Sequence, residues 1–311
     1  DLTGNTVTVG SDVTLTGDGT DFYRIYLQFA NAATLTGMPA YIFTVPFSDF
    51  SVGAGGQVNL RNVSLDAEMT IAANFSTTLS FGQLGLDIDG EAASDQSGYS
   101  VAISSDGNIV AIGAIFNDGT GISVGHVRVY QRDANKTEAV TVQSSATFGP
   151  VGWTRLGQDI DGEGWLNLSG FSVGLSADGT IVAIGSRLNN GTGTYAGHVR
   201  VYERDASKTV AVTNQSLATF GPVGWTRLGQ DIDAEAAGDE SGVSVGLSSD
   251  GTIVAIGGRY NDGAGSNAGH VRVYQRDANK TDAVIDQSLD TFGPVGWTRL
   301  GQDIDGEAAG D

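Results

Sequence analysis

The chain has 311 residues, 40% of them hydrophobic, so it can bury a sizeable core and its 46 glycines do not signal disorder. Sixteen Lys and Arg against 36 Asp and Glu give a formal charge of −20, which argues against nucleic acid and fits salty surroundings or the collection of divalent cations. With no cysteine there is neither a disulfide framework nor a thiolate metal site, and no apolar run reaches the roughly 18 residues of a membrane span.

Residues 1–80 alternate apolar and polar side chains with period two, as in Thr6-Val7-Thr8-Val9, Val13-Thr14-Leu15-Thr16 and Val58-Asn59-Leu60-Arg61. Residues 22–29 and 41–47 are denser and rich in aromatic and β-branched side chains, as strands buried on both faces tend to be. Gly10-Ser11, Gly17-Asp18-Gly19, Gly37-Met38-Pro39 and the Gly53–Gly56 stretch break these runs at regular intervals. Short strands with frequent turn signals predict an N-terminal β-sandwich domain over 1–80.

From residue 81 the chain repeats every 72 residues, giving units 81–152, 153–224 and 225–296 and a partial unit 297–311. Gly157-Gln158-Asp159-Ile160-Asp161-Gly162-Glu163 recurs at 229–235 and 301–307, and more loosely at 85–91. The period decides the architecture and is read first. One unit runs from a short strand at Trp153–Gly157 through an acidic loop to strands at Phe171–Ser176, Ile181–Gly185 and Gly197–Tyr202. Between the second and third strands, Asp178-Gly179 supplies hairpin-turn chemistry. Four strands per unit is the composition of one propeller blade. A 22-residue connection, 131–152, is far longer than a hairpin loop, and the alternation in Thr137–Gln143 predicts an added β-ribbon at the outer edge. Its counterparts follow Tyr202 and Tyr274 and carry the only lysines, Lys136, Lys208 and Lys280.

Three segments of the repeat, Gly98-Tyr99-Ser100-Val101-Ala102-Ile103-Ser104, Ile109-Val110-Ala111-Ile112-Gly113-Ala114 and Gly125-His126-Val127-Arg128-Val129-Tyr130, resemble the FG-GAP repeat of integrin α subunits and secreted surface proteins. The resemblance covers about 81–311 and implies propeller-type four-stranded blades there; with the β-sandwich read from residues 1–80, an all-β chain is expected. The calcium loop of integrin-type repeats is not carried over, because the short turn Ser105-Asp106-Gly107-Asn108 stands at its place. Phe81 replaces Trp153, Trp225 and Trp297 in the first copy, as an atypical first unit would. The chain opens on Asp1 without a methionine and stops at Asp311 inside the motif, which points to a removed signal peptide or an internal start, and to a longer array.

Several residue sets are candidate sites. Asp87, Asp89, Glu91 and Asp95 stand at relative positions 1, 3, 5 and 9, a spacing of oxygen-liganded calcium loops. Asp231, Asp233, Glu235 and Asp239 repeat it, as do Asp303, Asp305, Glu307 and Asp311, while the second copy weakens to Asp159, Asp161, Glu163 and Asn167. The alternative is a turn whose aspartates cap their own backbone. His126, His198 and His270 stand alone in their units, and a polar contact between blades is the expected role. The recurring tryptophans are expected in the core, with a sugar-stacking ladder as the alternative. Asn62, Asn74, Asn135, Asn167, Asn190, Asn214 and Asn279 open Asn-x-Ser/Thr triplets, the acceptors of N-glycosylation. No nucleophile elbow or phosphate-cradling glycine loop is present, so no enzyme is expected. The sequence therefore predicts a secreted, glycosylated structural subunit of an extracellular filament or surface appendage, self-associating into a homo-oligomer. The runner-up is a cell-surface adhesive propeller binding a carbohydrate or protein ligand with calcium.

Overall fold

The computed structural model describes residues 83–310, together with the backbone of two short strands, β1 (Val52–Gly53) and β2 (Gln57–Val58). These two pair antiparallel, Val52 opposite Val58. The chain divides into two units after Gly82. The rest of the expected sandwich, with Phe81, Asn62, Asn74 and Asp311, lies outside the described residues.

All regular structure among the described residues is β, and it falls into three equivalent antiparallel sheets. The first holds β3 (Ser97–Ile103), β4 (Ile109–Ala114), β5 (His126–Arg132), β6 (Trp153–Arg155) and β7 (Ile160–Asp161). Strands β6 and β7 both pair with β5, so they form one broken outer strand and the sheet is four strands wide. The second sheet holds β8 (Ser169–Leu175), β9 (Ile181–Ser186), β10 (His198–Arg204), β11 (Trp225–Arg227) and β12 (Ile232–Asp233). The third holds β13 (Ser241–Leu247), β14 (Ile253–Gly258), β15 (His270–Arg276), β16 (Trp297–Arg299) and β17 (Ile304–Asp305).

The phase of the unit differs from the sequence-based expectation. The tryptophan strand closes the sheet of the preceding copy instead of opening the next: Tyr130 lies opposite Arg155, and Arg132 opposite Trp153. A strand boundary set at residue 153 therefore cuts through the first sheet. The long connection 133–152 makes this possible, because it turns the chain back along β5. That connection is not a β-ribbon. It contributes a single antiparallel bridge, Val140 to Gly149, and is fastened by Lys136, whose Nζ donates to the carbonyls of Thr147 (2.5 Å) and Trp153 (2.9 Å). Lys208 and Lys280 fasten their copies to the equivalent carbonyls.

The continuous apolar strand Ile181-Val182-Ala183-Ile184 suits the second sheet, which is covered on both faces. Val182, Ile184, Tyr202 and Trp225 of the second sheet pack against Ala111, Val127, Val129 and Ile160 of the first. On its other face Ala183, Val199, Val201 and Ile232 meet Val254, Ile256, Tyr274 and Trp297 of the third. The tryptophans are core residues, at 9%, 0% and 0% exposure. Each indole N–H donates to a carbonyl 69 residues earlier, that of Leu84, Leu156 or Leu228, at 2.8 Å. A buried indole needs such a partner, and the partner supplies a link to the preceding copy. A sugar-stacking ladder is excluded by this burial.

The sheets approach most closely at their inner strands. A Cβ on Gly113 would lie 2.2 Å from the Gly170 carbonyl oxygen, and one on Gly185 would lie 2.1 Å from that of Gly242. Nearby, Ser100 Oγ donates to the Gly170 carbonyl (2.6 Å) and Ser172 Oγ to that of Gly242 (2.8 Å).

Candidate functional site

The most concentrated chemistry among the described residues recurs where each sheet meets the acidic segment leading from the previous copy. His126 opens β5 and, by strand alternation, shares a face with Arg128. Asp161 on β7 lies opposite His126 in the ladder, so it joins the same face. Asp159 sits in the break between β6 and β7, and Glu91 and Asp95 arrive from the segment before β3.

His126 is 3% exposed. Its Nδ1 lies 3.6 Å from Glu91 Oε2, 3.8 Å from Asp159 Oδ2 and 4.0 Å from Asp161 Oδ1. None of these is a hydrogen bond, and the nitrogen has no partner. Around it the polar groups are densely paired. Arg128 Nη2 reaches Glu91 Oε1 at 2.5 Å and Asp159 Oδ2 at 2.7 Å, and Arg155 binds Asp159 Oδ1. Asn117 Nδ2 donates to Glu91 Oε2 and Asp95 Oδ2, each at 2.9 Å. The insertion forms the roof: Gln143 donates to Glu91, and the Phe148 ring lies under both guanidinium groups, 5.4 and 4.6 Å from their carbons.

The electrostatics follow from this packing. Burial drives the His126 imidazole toward its neutral form and outweighs the nearby carboxylates. Burial would also raise Asp159, but the hydrogen bond and charge of Arg128 outweigh it and hold that carboxyl below its usual range. Asp161 lacks such a partner. Its carboxyl is pushed up to about 6 by burial and by the charges of Asp159 and Glu91.

The second copy places Glu163 Oε2, Asp231 Oδ2 and Asp233 Oδ1 at 3.7, 3.8 and 3.7 Å from His198 Nδ1. In the third, Glu235 Oε2 and Asp303 Oδ2 lie 3.7 and 4.0 Å from His270 Nδ1. His198 and His270 repeat the unpartnered Nδ1. Each trio of Glu, His and Asp offers ligand atoms within 4.8 Å of one another, a set able to hold a metal ion.

This arrangement divides the acidic run that the sequence suggested as one calcium loop. Asp231 and Asp233 face His198, whereas Glu235 faces His270 and Asp239 shares Asn261 with it. Asp303 belongs with His270, while Asp305 and Glu307 are exposed. Asp87 accepts from Gln83, and Asp89 is exposed. The run does not gather round one point. Asp95 and Asp239 also accept from the backbone N–H of Ala92 and Ala236, the self-capping expected of a turn. The signal that sequence reading lacked was the partner of each histidine, because the Glu comes from the linker of the copy before.

Among the glycosylation candidates, Asn135, Asn190, Asn214 and Asn279 are exposed. Asn167 is 5% exposed and leaves no room for a glycan. No helix among the described residues is long and apolar enough to cross a membrane. Neither the protein-family models nor the curated proteins give a match to the chain, so the FG-GAP resemblance rests on its three strand motifs.

Proposed function

We propose that this protein is a structural scaffold whose copies assemble through the faces of their sheets, as a secreted, glycosylated subunit of an extracellular filament or surface appendage. One observation carries the reading. Val127 and Val199 are 0% exposed and Ile160 and Ile232 are 1% and 2% exposed under the following sheet, yet their third-sheet equivalents Val271 and Ile304 stand 36% and 62% exposed. At the opposite face, Tyr99, Val101 and Ile103 are 47%, 64% and 63% exposed, where Val173 and Leu175 of the second copy pack against the first sheet. Ile112, Tyr130 and Trp153 on the first sheet's face are covered by Ile88 and Phe148, so its exposed part is the β3 edge. The faces that Val271 and Ile304 and that Val101 and Ile103 present match the partners of the internal interfaces, which suits contact with a further sheet of the same kind. Exposed Asn135, Asn190, Asn214 and Asn279 and the acidity of the chain support an extracellular setting.

Sedimentation velocity of the full chain over a wide concentration range tests it. Growth into larger species that Ile304→Lys abolishes is expected, and a monomer at every concentration overturns the reading. A second reading, an adhesive propeller for a carbohydrate or protein ligand, is favoured by exposed Trp165, Leu166 and Ile122 at 68%, 52% and 58%. Binding to a glycan array that Trp165→Ala removes would select it.

A further inference from the structure

We propose that the three clusters centred on His126, His198 and His270 are binding sites for a divalent transition cation of the zinc type, not for calcium. The first reason is the orphaned imidazole nitrogen. Each histidine is at least nine-tenths buried, at 3%, 1% and 7% exposure, and each Nδ1 points among carboxylate oxygens without a hydrogen bond. In each copy this buried nitrogen has no protein partner and faces carboxylate oxygens, so a group from outside the chain, an ion or a water, is what would satisfy it.

Spacing is the second reason. The oxygens lie 3.6 to 4.0 Å from Nδ1 in the first cluster and 3.7 to 3.8 Å in the second. Ligands each about 2.0–2.2 Å from one tetrahedral ion stand roughly 3.4 Å apart, so each of these oxygens need approach the nitrogen only by a few tenths of an ångström.

The third reason is how the surrounding groups are divided. In every copy the arginine takes Oε1 of the glutamate and leaves Oε2 turned toward the histidine. Arg155 and its equivalents hold the far oxygen of the aspartate, and Arg128 and its equivalents also bond the histidine-facing Oδ2 at 2.7 Å, so that oxygen would be shared between arginine and ion. Such outer contacts orient ligands in metal sites. Charge is left over as well: in the first cluster Glu91, Asp95, Asp159 and Asp161 face only Arg128 and Arg155, so two negative charges have no match.

An imidazole combined with carboxylates selects a transition cation, because calcium takes oxygen ligands throughout. The ion would also join copies, since Glu163 lies on the linker leaving the first sheet while His198 and Asp231 belong to the second.

Calorimetry on the EDTA-treated full chain, with zinc, manganese and calcium chlorides as separate probes, tests the proposal. Expected are three zinc ions per chain, bound at least tenfold more tightly than calcium, with one lost in each of His126→Gln, His198→Gln and His270→Gln. Because those variants can fail to fold, the unsubstituted chain is also titrated with cobalt, whose visible absorption reports a nitrogen-containing tetrahedral site. Absent zinc binding, tighter calcium binding, zinc stoichiometry unchanged in the folded triple variant, or a cobalt spectrum no different from the aqueous ion each overturns it.

Discussion

At the scale of single residues, the same side chain does the same work in each copy, so one substitution predicts its equivalents. Trp225 is fully buried and its indole donates to the Leu156 carbonyl. Trp225→Ala removes a large buried ring and leaves a cavity, so a loss of roughly 3–5 kcal/mol is expected in urea unfolding followed by circular dichroism. The aspartates of the tight turns carry a pH signature. Asp106 is held at about 2 by the Ser104 hydroxyl and by the backbone and side-chain amides of Asn108, and Asp250 at about 2 by Ser248 and Thr252. A carboxyl lowered by folding stabilises the folded state above its unfolded pKa, and that stability drains away as pH falls through the folded value. NMR titration of these carboxyl carbons is therefore expected to show midpoints near 2, with the turns weakening only between about pH 4 and 2. A midpoint at the ordinary value for Asp106 would contradict the turn geometry.

The elements show what was legible and why. The Ile109–Ala114 strand appears over the residues its apolar run marked, and the turn glycine Gly107 has φ 71° as the Asp-Gly pair requires. The phase of the sheet was not legible. Trp153-Thr154-Arg155 suits either end of a sheet, and only the ladder to β5 and the Lys136 fastening decide between them. The acidic run likewise has calcium-loop spacing along the chain, yet the linker turns its two halves toward different histidines. A pattern along one strand or turn can be read locally, whereas pairing across 22 residues of insertion or between copies depends on tertiary contacts. The contact between sheets offers its own test. Gly113→Ala and Gly185→Ala push a methyl group into the backbone of the next sheet. At the equivalent Gly257 the added Cβ meets only the Ser244 hydroxyl closely, at 2.4 Å, and that group can rotate away. Thermal melts are expected to show roughly 1–3 kcal/mol lost for the first two and a much smaller change for Gly257→Ala.

For the molecule as a whole, stability accrues at interfaces between neighbouring sheets, each built from the same residues 72 positions apart. Within residues 83–310 an identical residue is therefore buried where a described sheet follows it and exposed where none of the described residues does. Ile160, Ile232 and Ile304 show this at 1%, 2% and 62% exposure. The most direct measurement is the urea midpoint of I160K, I232K and I304K, compared at protein concentrations low enough to keep the full chain monomeric. Stacked sheets predict that a lysine forced into either internal interface costs several kcal/mol, while I304K stays within about 0.5 kcal/mol of the unsubstituted chain. Three equal losses, or an I304K variant as unstable as I232K, would contradict the stacking on which both the assembly and the shared histidine sites rest.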